Sequence, residues 1–155
     1  MKANVPQKKI DSIRVDTGVK KIKVNDEGET ISLNFADQSF PVRYFAMVDE
    51  FEAQQQVFQQ EAEALDRECE EQQLSDYECS RKAAAFNLKV HEFCKERVDG
   101  LFGEGTCRKV FGDIVPSADL YVDFISQLAP YFEKYGKERQ KKLMQKYNPK
   151  RKGNV

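Results

Sequence analysis

Apolar residues in this chain keep one spacing up to Phe40-Pro41 and another after it, and that single change of period constrains the fold more than any other feature. Before the change the residues alternate. Ile13 and Val15, Ile22 and Val24, then Ile31, Leu33 and Phe35 share one face, with Arg14, Lys23, Ser32 and Asn34 on the other, which predicts β-strands with one buried side. Turn residues at Asp16-Thr-Gly18 and Asn25-Asp-Glu-Gly28 separate the runs, so residues 10–40 read as a three-stranded antiparallel meander. So small a sheet needs a cover. Helices supply it, because from Pro41 onward the apolar residues recur every three or four positions.

The first helix starts near Pro41, a residue suited to a first turn, and runs through Phe45, Val48, Phe51, Phe58, Ala62, Leu65 and Cys69 towards Gln73. Its apolar seam is narrow and its other faces are rich in Glu and Gln, the pattern of a helix that pairs with a second helix or a second copy of the chain. Ser75-Asp-Tyr-Glu78 is a capping box for the next helix, whose inward face runs through Phe86, Val90, Phe93, the stem of Arg97 and Leu101. The two helices should form an antiparallel hairpin. Pro116-Ser117 opens a last helix with a broad aromatic stripe of Leu120, Tyr121, Phe124, Ile125, Leu128, Phe132 and Tyr135, interrupted at Pro130, where a kink is expected. Such a stripe belongs first to the core. Its breadth also makes Tyr121, Phe124, Leu128, Tyr131, Phe132 and Tyr135 the candidate partner-binding residues. The chain therefore divides into a flexible basic N-terminus (1–9), a single α+β domain (10–147) and a disordered basic tail (148–155).

Between the second helix and the last lies a glycine-punctuated knuckle. Gly100, Gly103 and Gly105 fall within six residues, and Gly112 follows. A helix ending near Asp99, Thr106 capping a short helix, and Gly112 stopping it in a left-handed conformation would turn the chain sharply, with Leu101, Phe102, Val110 and Phe111 pointing inward. A phosphate cradle is excluded, since no strand leads in and no Gly-Lys-Ser/Thr ending follows.

Composition narrows the function classes. The 155 residues carry a net charge of −1, with 33% charged and 40% hydrophobic residues. The charges are segregated: Asp49 to Glu78 holds eleven acidic side chains against Arg67, and Lys134 to Lys152 holds nine basic ones against Glu138. The basic stretch could neutralise phosphates, but apart from Tyr147 it lacks aromatic platforms, which argues against nucleic acid as a partner. No apolar run approaches the ~20 residues of a membrane span and no secretory signal opens the chain, so a cytoplasmic location without membrane contact is expected. Cys69, Cys79, Cys94 and Cys107 form no C-x-x-C pair, and His91-x-x-Cys94 supplies at most two metal ligands; reduced thiols and no metal or other cofactor are expected. One histidine with no paired nucleophile argues against an enzyme.

The stretch Leu101-Phe-Gly-Glu-Gly-Thr-Cys-Arg-Lys-Val-Phe-Gly112, with Pro116 and the helix Asp119-Leu-Tyr-Val-Asp-Phe-Ile-Ser-Gln-Leu128, resembles the C-terminal part of small tail assembly chaperones encoded by long-tailed phages and prophages of Gram-positive bacteria. The resemblance implies short strands followed by a helical body and a non-enzymatic role in the cytoplasm of the bacterial host. It implies binding to the helical tape-measure protein, and contact with the tail tube protein, during assembly, followed by absence from the mature virion. A generic coiled-coil interaction or scaffold protein is the alternative, and a regulator binding nucleic acid through its basic tail is a further one.

Overall fold

The computed structural model describes residues 9–147. The flexible N-terminus expected at 1–9, all but Lys9, and the disordered tail expected at 148–155 lie outside the described residues. The fold is α+β. Two strands, β1 (Lys20–Lys23) and β2 (Thr30–Leu33), are followed by α1 (Ser39–Glu71), α2 (Asp76–Phe102), α3 (Thr106–Phe111) and α4 (Ala118–Tyr147).

The strands pair antiparallel with Ile22 opposite Ile31 and Lys20 opposite Leu33. Their turn forms where the sequence places it. The Asn25 side chain accepts from the Glu27 and Glu29 amides at 3.0 and 3.1 Å, and donates to the Lys109 carbonyl at 3.0 Å, which ties the hairpin to α3. The meander is a strand short, however. The turn at Asp16–Gly18 exists, with the Gly18 amide on Asp16 Oδ1 at 2.8 Å, yet Ile13 and Val15 are 94% and 78% exposed and pair with nothing. The reason is burial: only β2 presents a covered face, through Ile31 and Leu33, and β1 lies outside it with Ile22 half-buried. A third strand beyond β1 would have no apolar surface to join.

Helices α1 and α2 form the expected antiparallel hairpin. α1 begins two residues before Pro41, which therefore sits in the first turn, where its missing N–H costs no hydrogen bond. Ser75 caps α2, its hydroxyl accepting from the Glu78 amide at 3.2 Å. α4 runs through Pro130.

The core lies at one end of the hairpin. Leu33 and Val98 are fully buried, and around them an aromatic cluster joins strand, hairpin and α4. Phe132 stacks on Tyr44 with centroids 3.5 Å apart, and packs on Phe40 and Phe35 at 5.4 and 5.2 Å. Four of the candidate partner-binding residues, Tyr121, Phe124, Leu128 and Phe132, are buried here, so they are core and not free surface. The stripe is used up by packing because the sheet and the hairpin close over it from two sides.

The knuckle follows its glycines with two corrections. Gly103, Gly105 and Gly112 take φ of 115°, 86° and 80°, but Gly100 is helical, because α2 continues to Phe102 before turning. Thr106 does not cap α3. It is already the first helical residue and its hydroxyl donates back to the Gly103 carbonyl at 2.7 Å. Asp99 from α2 takes over the capping role, accepting from the Cys107 amide at 2.9 Å. A carboxylate from one helix thus neutralises the start of the next.

Candidate functional site

The most apolar hollow among the described residues is a groove of about 450 Å³ walled by three helices. α1 contributes Val48, Phe51 and Phe58, α2 contributes Phe86 and Val90, and α4 contributes Val122 and Ile125. Each wall follows from helical spacing. Val48, Phe51 and Phe58 recur at three and seven residues on α1, and Phe86 and Val90 at four on α2, so each set occupies one helix face. The rings form a ladder across the hairpin. Phe58 lies edge-on to both Phe86 and Phe93, at 6.0 and 5.5 Å between centroids, and Phe51 is 6.0 Å from Phe93. From Val48 outward the rings of this ladder are half-buried, not enclosed, and the groove stays open. Val122 is 64% exposed on the α4 wall, and Glu52 is the one charged side chain lining the groove.

Beneath the groove runs a short buried polar chain. The Tyr121 hydroxyl lies 2.9 Å from His91 Nδ1 and 3.8 Å from Cys107 Sγ. Burial raises the Tyr121 phenol above its ordinary value and pushes the thiols of Cys94 and Cys107 up to about 11 and about 12. Both thiols are held protonated at neutral pH and are poor nucleophiles. His91 is a satisfied core residue, its one described side-chain partner being Tyr121. At the knuckle, burial pushes the Asp99 carboxyl up, but the Cys107 amide and Lys95 Nζ, 2.9 and 3.0 Å away, outweigh it and hold the group below its usual value.

The remaining candidate residues separate from this groove. Tyr131, 39% exposed, borders a second hollow with Ile22, Val110 and Phe111, and its ring stacks on Tyr135 at 6.1 Å. Tyr135 is half-buried against Phe35, with Lys20 Nζ 5.4 Å above its ring. Of the six candidates only Tyr121 reaches the groove, from its floor. The openness of the α4 wall rests on Val122, which lies outside the stripe that helical spacing predicts. Val122 is an apolar residue just off the buried stripe of α4, and that displacement was the available signal.

The cysteines differ from expectation. Cys94 and Cys107 are free and buried, but Cys69 and Cys79 are joined in a disulfide with their Cα atoms 6.0 Å apart. Ten residues apart in sequence, they sit on facing turns of the hairpin, nearly equidistant from its loop. Among the described residues no group of three or more His, Cys, Asp and Glu is placed to hold a metal ion, and no helix is long and apolar enough to cross a membrane.

A family model described as Family of unknown function (DUF6673) matches residues 27–154. The chain belongs to that family. The family match takes in β2, all four helices and every residue lining the groove, and begins after β1. No curated protein and no solved structure matches the chain.

Proposed function

We propose that the groove receives an amphipathic helix of another protein, and that the protein acts as a tail assembly chaperone, covering the tape-measure protein while the tube forms around it. The observation that carries this reading is the open ladder of Phe51, Phe58 and Phe86 facing Val122 and Ile125. A groove between parallel-running helix faces offers sites at helical spacing, which an incoming helix meets with residues at i, i+3, i+4 and i+7. A tape-measure protein is a long helix with exposed apolar stripes. Its capture in such a groove removes from water both the stripe and the ladder, at about 25 cal/mol per Å² of apolar surface. Glu52 on the rim favours a stripe flanked by lysine or arginine and adds registration more than affinity.

The test uses Val122→Arg, which places a charge on an exposed wall and touches no core residue. The variant should melt with the wild type and bind a synthetic tape-measure helix about tenfold more weakly in fluorescence anisotropy, equivalent to about 1.4 kcal/mol. Equal affinity in the two proteins would remove the groove from the reading. A wild-type protein that neither binds the peptide nor keeps a co-expressed tape-measure fragment soluble would end the chaperone reading as a whole.

A further inference from the structure

We infer that Cys69 and Cys79 are a thiol–disulfide exchange site that clasps the outer arm of the α1–α2 hairpin. The arm, residues 59–85, contains no fully buried residue. Among the described residues its cross-helix polar ties are Lys82 to Glu68 at 2.6 Å and Lys89 to Glu61 at 3.0 Å, all four side chains more than a third exposed. Exposed pairs of this kind hold two helices together only weakly. The apolar seam here is thin, a half-buried row of Ala62, Leu65 and Ala83, and an isolated helix pair of this length is marginal in water. A covalent link between the last turn of α1 and the first turn of α2 is therefore the strongest tie beyond Phe58 and Phe86.

Position also makes this pair reactive where the other two cysteines are not. Cys69 and Cys79 are half-buried and reachable by a small reagent, whereas Cys94 and Cys107 are enclosed in the core. Cys79 lies in the first turn of α2 and Cys69 in the last turn of α1, so the two sulfurs meet across the short loop between the helices. In the forward step the Cys79 thiolate attacks one sulfur of a low-molecular-weight disulfide, expelling a small thiolate and leaving a mixed disulfide. Cys69, its proton released to solvent, then attacks the Cys79 sulfur and expels the second small thiolate. Two electrons pass from the protein pair to the small disulfide, and an excess of small thiol reverses both steps. The inference is independent of what the groove binds.

The full chain, equilibrated in buffers of defined reduced and oxidised glutathione ratio, tests it by alkylation with intact-mass readout and by amide hydrogen exchange. In the oxidised buffers two thiols should disappear, at Cys69 and Cys79, and exchange across residues 59–85 should slow about tenfold while residues 90–102 are unchanged. Cys69→Ser should stop at one glutathione on Cys79. Four free thiols at every ratio, or a stable mixed disulfide in the wild type, would overturn the exchange site. A bridge that forms without altering exchange in the arm would overturn the clasp.

Discussion

From Phe40 to Met47, α1 carries three buried residues, packed against α2 and, through Phe40 and Tyr44, against Phe35 and Phe132; from Gln59 to its end it carries none. The same contrast divides α2 at Phe86. The inner half carries every buried residue of the hairpin, among them Tyr44, Met47, Val90, Cys94 and Val98, and the outer half carries none. Both halves have similar helical periodicity and similar helix-forming residues, so the difference comes from what lies across from them. Two helices alone bury a seam, whereas a third layer buries a face. The inner half should consequently rise and fall with global unfolding, and the outer half should open by itself at lower cost.

Phe132→Ala gives the largest expected effect. Its ring meets Tyr44, Phe40 and Phe35, so removing it should destabilise the whole domain by ~3–5 kcal/mol in denaturant titration, with the arm affected no more than the rest. A loss confined to the arm would reverse the comparison.

Asp99 offers a smaller and pH-dependent test of the inner half. Its carboxyl is held below the usual value, so its stabilising contribution is complete above about pH 4 and is lost as pH falls through the folded-state value. Asp99→Ala should cost ~1.5–3 kcal/mol at pH 7, the price of a hydrogen-bonded charge, and should flatten the acid limb of a stability-against-pH curve. An unaltered acid limb would show that the cap from α2 to α3 is not ionised in the way the geometry implies.

Ser75→Ala acts on the outer half and should be the mildest. Losing the hydroxyl that accepts from the Glu78 amide costs about 1 kcal/mol of helix stability. Because the arm opens separately, faster amide exchange should appear near residues 72–80 with little change in the global midpoint. A global shift as large as the local one would mean that the hairpin unfolds as one unit.

Much of this division was written in local chemistry. The turn at Asn25–Gly28 needs only its own side chain, the Ser75 cap needs only the next three residues, and helical spacing alone predicts two helices joined by a short loop. What escaped reading depends on partners distant in sequence. Whether Ile13 and Val15 form a strand is decided by the absence of a covered face beyond β1, which no alternation can reveal. Asp99 caps α3 across a turn whose shape had to be known first. Cys69 and Cys79 meet because the loop between the helices is symmetric about them, a fact of register and not of spacing. The aromatic stripe of α4 shows the same limit in another form: sequence marks Tyr121, Phe124, Leu128 and Phe132 as apolar and clustered, but only the layers above them decide that they are inside, while Val122 is left on the wall of the groove.

Pro130 has a consequence for that wall. Having no N–H, it withholds from the Ser126 carbonyl the partner that an uninterrupted helix would provide, and Ser126 is one of the groove's lining residues. The α4 side of the groove is thus one rung short in its main-chain ladder, a local softening of the helix on which Val122 and Ile125 stand.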